Sequence, residues 1–376
     1  MSTFDMVAIV APLDALRARL LAIGGRAGRN FLRDRGRRVA LFGIVGVVVA
    51  LLTTCIAPLW VFAIAPLVLG VPHLLSDVRY LVVKPALAKR TVLVYAVAPP
   101  LVATLLQPAA HIGLTVGFGV IAVAHTTPLR RVCAAIVWAA VYACALVWPY
   151  PTTLVVLHGH NFFAVALLLV VFSRNRAAVA IPAALFLVVS AAFVVGAFDV
   201  LLTRPFAVLS TPARGLTLDA VIAGIAPVTD PMLGLRLAMV FVFAQSVHYA
   251  VWLRLVPEEA RERPGLRSFA SSVVALRADV GGWLVGAAVV AGIALIVFAC
   301  ATSLEIARMG YLRVSAPHAY LEIAFAMLWL LERGTGLPAR RSVLGAASCS
   351  SRRGTSTASG LARNVSPNGS PSGSPT

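Results

Sequence analysis

All seven histidines of this 376-residue chain lie in or beside long apolar runs: His73, His111, His125, His158, His160, His248 and His318. Imidazole is the commonest protein ligand of transition metals and the side chain that titrates nearest neutrality, so their placement points to metal binding or proton transfer. Two local patterns echo each other. Pro72-His73 is followed by Asp77, and Pro317-His318 by Glu322. Each sets an imidazole and a carboxylate at i and i+4, on one face of a helix. There Asp77 and Glu322 can fix the imidazole tautomer, relay a proton or join as ligands. The plainer alternative is a buried His–carboxylate hydrogen bond that ties helices together.

His158 and His160 are two residues apart, about 200° around a regular helix, so both cannot face one centre. His160 is the metal candidate and His158 its alternative, with Asn161 in support. His248 has Gln245 and Trp252 each within about one turn. His111 and His125 flank turns, where an interfacial, structural role suffices. The candidate ligand set is therefore His73, His160, His248 and His318, from four separate helices. Asp77, Glu322, Asn161 and Gln245 serve as supporting or relay groups. Neutral imidazoles converging in a bundle suit non-haem iron or another transition metal. The aromatic residues Phe163, Tyr249, Trp252 and Tyr320 near them are expected to line a substrate cavity; ordinary helix packing is the alternative.

The elements that must position these groups are membrane spans. The chain is 60% hydrophobic, only 12% charged, and has a mean hydropathy of +0.91. Soluble domains run at about 45–50% apolar and roughly 25% charged, so this chain has too little polar surface to cover a water-exposed body. Crossing a hydrocarbon core takes ~20 residues. The uncharged stretches 39–76, 91–129 and 132–173 are each long enough for two spans, with breaks at Ala57-Pro58, Gln107-Pro108 and Trp148–Pro151. Single spans follow near 177–198, 235–253, 281–301 and 311–331. The sum is ten, an all-α polytopic bundle over 39–333. A basic cytoplasmic segment (1–38) precedes it, and a Ser/Gly/Pro-rich tail (334–376) with the composition of a disordered segment follows.

The net charge of +18 suggests nucleic acid at first sight, but the arginines fall between the apolar runs. With the N-terminus inside, every inner loop is basic, and the turns near Pro58, Pro108 and Pro151 carry no charge. Both termini are then cytoplasmic, in the cell's inner membrane. The bilayer and a lipid-soluble small molecule are the expected partners, and nucleic acid is not. The first strong apolar run begins at Val39, too late for an ordinary cleaved signal peptide, so the N-terminus is expected to be retained. Leu13–Leu32 can form a surface amphipathic helix, Phe269–Leu276 can lie flat on the bilayer, and Leu216–Ile225 can lie at the interface or re-enter.

These span limits leave a mismatch. His160 and His318 fall about seven residues from the outer face and His73 and His248 about thirteen, an offset of roughly 9 Å in depth. Tilt or different helix ends must absorb it if the four are to meet.

The stretch Gly70-Val71-Pro72-His73-Leu74-Leu75-Ser76-Asp77 resembles the Gly-x-Pro-His-Gly-x-x-Asp motif of the bacterial Brp/Blh β-carotene dioxygenases, polytopic membrane enzymes whose histidines hold a non-haem iron. Pro317-His318 resembles a late Pro-His of that family. Leu74 replaces the motif's glycine, and the family's later paired histidines are represented by His248 alone. The resemblance implies an iron ligand at His73, a supporting carboxylate at Asp77 and a carotenoid-like substrate. Two other readings stay open from the residues themselves. One is an ion- or proton-coupled transporter that uses His73–Asp77 and His318–Glu322 as relays. The other is a bis-histidine haem protein carrying electrons.

Overall fold

The computed structural model describes residues 3–203, 216–262 and 265–333, and the regular structure among them is helical throughout, with no strand. The tail expected to be disordered lies outside the described residues. Ten apolar helices form the bundle: α1 Arg35–Ile56, α2 Pro58–Asp77, α3 Thr91–Leu106, α4 Ala110–Val123, α5 Pro128–Val147, α6 Pro149–Leu167, α7 Arg176–Val194, α8 Pro231–Ala250, α9 Gly282–Ala301 and α10 Leu304–Glu332. Eight are long and apolar enough to cross a membrane; α3 and α4 are shorter, at 16 and 14 residues. At 1.5 Å per residue these two reach about 24 and 21 Å, so their hairpin falls short of a ~30 Å core.

The breaks fall where the turn signals stand. Pro58 and Pro149 occupy first helical positions, where a missing N–H costs nothing. Side-chain caps close other starts. Asp34 accepts from the Arg37 amide at 2.7 Å, and Asp230 accepts from Met232 and Leu233 at 2.9 and 3.3 Å.

Two helices organise the molecule. α8 is the most enclosed, with 78% of its most apolar stretch buried against 6% for α5. It packs on α1, α2, α6 and α7. α10 packs on α2, α3, α4, α6 and α9. α2 and α6 thus touch both central helices, and these four carry the candidate histidines. α5 and α9 instead turn residues such as Ile136, Val137, Val290 and Ile293 outward, the apolar surface a helix offers to lipid.

One end of the bundle is rich in ion pairs. Arg38 and Arg254 both clasp Glu258, Arg79 pairs with Asp279, and Arg90 with Glu332. The N-terminal segment is not one amphipathic helix. It is two, Thr3–Ile23 and Gly25–Arg33, broken where Gly25 takes a φ of +59° that only glycine adopts without cost. The first runs along Phe269–Val280, and Asp14 caps that helix through the amides of Phe269 and Ala270 at 2.7 and 3.0 Å. Leu216–Ile225 does not lie loose at an interface. Leu216, Val221 and Ile225 are buried in the same core as α8.

Candidate metal centre

Four imidazoles form a closed ring where α2, α6, α8 and α10 meet. The ring centroids follow one another at 4.6 Å (His73–His248), 5.0 Å (His248–His160), 5.3 Å (His160–His318) and 5.1 Å (His318–His73), every neighbour edge-on to the next. The helix starts remove the expected depth mismatch only for His318. α10 begins at Leu304 rather than 311, so His318 stands about as far into its helix as His73 does from Pro58. His160 and His248 still differ by about six residues, counted from Pro149 and Pro231, and meet all the same.

Ring nitrogens of His73, His248 and His318 converge, and His160 closes the ring through its edge-on contacts with His248 and His318. His73 Nε2 and His248 Nε2 lie 3.0 Å apart, about the edge of an octahedron with metal–nitrogen bonds of ~2.1 Å. Ligand atoms of His73, His248 and His318 all fall within 4.8 Å of one another. For His160 and His318 the backbone decides the tautomer. His160 Nδ1 lies 2.9 Å from the Leu157 carbonyl oxygen, and His318 Nδ1 bonds the Ser315 carbonyl. A carbonyl can only accept, so each Nδ1 carries the proton and each Nε2 keeps its lone pair. Nδ1 of His73 and of His248 is buried without such a partner.

Two carboxylates complete the cluster. Asp77 and Glu322 are fully buried; among the described residues no donor stands in good hydrogen-bond geometry to the Asp77 oxygens, and Glu322 has the Trp252 indole beside it. Asp77 Oδ2 lies 3.3 Å from His73 Nε2, and Glu322 Oε1 3.7 Å from His248 Nε2. His73, Asp77 and Glu322 form a second group whose ligand atoms lie within 4.8 Å of one another. A buried anion without donors costs several kcal/mol unless a cation compensates it. Four neutral imidazoles and two carboxylates carry a charge that one divalent cation cancels, so this donor set fits such an ion. The nitrogens and oxygens lie close enough together, within 4.8 Å in each group of three, to share one ion.

Local distortions hold the ring. Three of the four ligand helices change to π-helix just beyond their histidine: Val78–Val83 after α2, Leu168–Phe172 after α6, and Val251–Leu255 after α8. A π turn shifts the side chains that follow it around the axis and is frequent at functional sites. Ser76 Oγ donates to the Trp252 carbonyl inside the third of these, at 2.7 Å, and so ties α2 to α8 beside His73 and His248.

The remaining candidates separate. His158 points away from the ring: its Nε2 lies 2.7 Å from the Ile225 carbonyl oxygen and its ring packs on Phe241. His125 and His111 lie outside the cluster; the His125 amide donates to Glu332 at 3.0 Å. A cavity of about 170 Å³ adjoins the ring, with His160, His248 and His318 in its wall. Asn161, Gln245, Tyr249 and Tyr320 line it too. Trp252 is wholly buried against Phe172, and Phe163 packs into the core, so neither reaches it. Tyr311 and Ser315 line the cavity and were not singled out from the sequence. Their signal was spacing, since 311, 315, 318 and 322 make one stripe on α10.

Comparison with family models, with curated proteins and with solved structures finds no match for this chain.

Proposed function

We propose that the protein is a membrane-embedded, histidine-ligated metal enzyme, a non-haem iron oxygenase acting on a lipid-soluble, carotenoid-like substrate. The observation that carries this is the closed ring of four imidazoles with two buried carboxylates beside it, drawn from four helices to one point. The motif resemblance at Gly70–Asp77 favours iron among the metals such a set accepts. The basic loops favour both termini in the cytoplasm and placement in the inner membrane.

In this reading His73, His160, His248 and His318 hold the ion, and Asp77 and Glu322 balance its charge in a medium of low dielectric. Iron, when bound to such donors, supplies one-electron and dioxygen chemistry. The chain's part is to gather four imidazoles, with Nδ1 protonated and Nε2 bare on His160 and His318, to exclude bulk water by burying the ring, and to leave one side open to the cavity. A transporter finds less support, because His73–Asp77 and His318–Glu322 converge in one cluster rather than standing as separate relays. A haem finds less as well. A porphyrin needs a flat slot between its two ligands, and these rings touch edge to edge.

Metal analysis of the detergent-purified protein tests the proposal. We expect about one iron per chain, removed in His73→Ala while the far-ultraviolet helical signal is kept. Folded wild-type protein that binds no transition metal when iron is supplied would sink it.

A further inference from the structure

We propose that the cavity beside the imidazole ring binds the hydroxyl end of a lipid-soluble alcohol, held by Gln245 and Tyr249. The inference rests on the metal-centre reading and specifies the substrate for it. The cavity's volume of about 170 Å³ is that of about five or six water molecules. It admits a head of several atoms and leaves the rest of a long chain to run out between helices toward Pro108 and Thr153.

The wall selects the head. It contains no carboxylate, arginine or lysine, so an anionic head would enter without a counter-charge. It is not simply apolar either. Gln245 is 6% exposed, within the most enclosed helix, and the cavity is the space its side chain reaches. One end of its amide meets the Tyr249 hydroxyl at 3.4 Å, and the other end has no hydrogen-bond partner among the described residues. Whichever way the amide is turned, it presents one unused donor or acceptor to the cavity. A plain hydrocarbon would strand that group. A hydroxyl, which both donates and accepts, satisfies either orientation. The Tyr249 ring centre lies 5.5 Å from that of His73 and 6.0 Å from that of His248, so an alcohol held there sits beside the imidazole ring rather than at a distant rim.

Photolabelling in phosphatidylcholine nanodiscs tests this. The probes are hexadecanol carrying a chain diazirine and an alkyne tag, and the same chain with a methyl group in place of the hydroxymethyl. We expect the alcohol to label peptides spanning 153–161, 241–249 and 311–320, with competition by unlabelled hexadecanol and not by hexadecane. In Gln245→Leu this labelling should fall at least about tenfold, and in Gln245→Glu it should persist. Equal labelling of those peptides by both probes, or undiminished labelling in Gln245→Leu, overturns the proposal. Should Gln245→Leu not fold, the two-probe comparison on the wild type still decides. Iron content is measured on the same samples. Selective labelling without iron sinks the metal centre alone, and iron without selective labelling sinks the alcohol subsite alone.

Discussion

His158 and His160 sit on the same helix, two residues apart, and their surroundings give them opposite work. The Leu157 carbonyl fixes the His160 tautomer so that Nε2 is free toward the ring, whereas His158 Nε2 is spent on the Ile225 carbonyl. We therefore expect His160→Ala to lose most of the bound metal. His158→Ala should keep it and instead lower stability by roughly 1–2 kcal/mol, the cost of an unpaired carbonyl and lost packing on Phe241. Metal-to-protein ratio and thermal midpoint, measured on both variants, separate the two roles; equal metal loss would put His158 among the ligands. Asp77→Asn keeps the size of the side chain and removes its charge. It should weaken metal affinity about 10–100-fold in chelator competition, the range typical of groups that support a ligand. The i,i+4 pairing of His73 with Asp77 and of His318 with Glu322 was legible from spacing alone. Which of His158 and His160 faces inward was not, because that depends on Ile225, sixty-five residues further on from His160 and held by packing.

Counting residues from helix ends does not foretell that the histidines meet; helix packing and irregularities bring them together. Hydropathy begins the last span near 311, just past Arg308, yet α10 runs from Leu304. Arg308 is tucked inward with its guanidinium 3.5 Å from the centre of the Phe62 ring, an arrangement that lets a cation lie against apolar surface. No periodicity announces that contact, nor the three π segments, since both arise from packing against other helices. The close approach of α2 to α10 was likewise hidden. A methyl group on Gly70 would stand 2.2 Å from the Tyr311 ring. Gly70→Ala is thus expected to force Tyr311 toward the cavity at a cost of about 1–3 kcal/mol. Unfolding in denaturing detergent should register that loss, and Tyr311→Leu should relieve it. A Gly70→Ala protein as stable as the wild type would mean the two helices are not in contact.

For the whole molecule, a buried polar centre constrains topology as strongly as the loops do. Every ligand helix must cross in the sense that brings its histidine to the common depth: α2 and α6 begin at one end with Pro58 and Pro149, and α8 and α10 begin at that same end with Pro231 and Leu304. The four then run parallel, and their far ends meet the arginine-rich face where Glu258, Asp279 and Glu332 are paired. Such an arrangement requires an even number of crossings between Arg35 and Glu332 if both ends of the bundle are to lie on that face. The short helices α3 and α4 are the weak point of the count, because a hairpin that fails to cross leaves the parity intact while placing Pro108 within the membrane. Two reporters therefore have to be read together. Cys349, following the last helix, should react with a membrane-impermeant maleimide only after intact cells are permeabilised, in a variant whose other four cysteines are serine. A cysteine introduced at Pro108 should react before permeabilisation. Labelling of Cys349 in intact cells would reverse the orientation that the basic loops imply. A Pro108→Cys site silent on both sides would keep the orientation and reduce the crossings from ten to eight. In either case the four histidine-bearing helices stay parallel, and the imidazole ring with them.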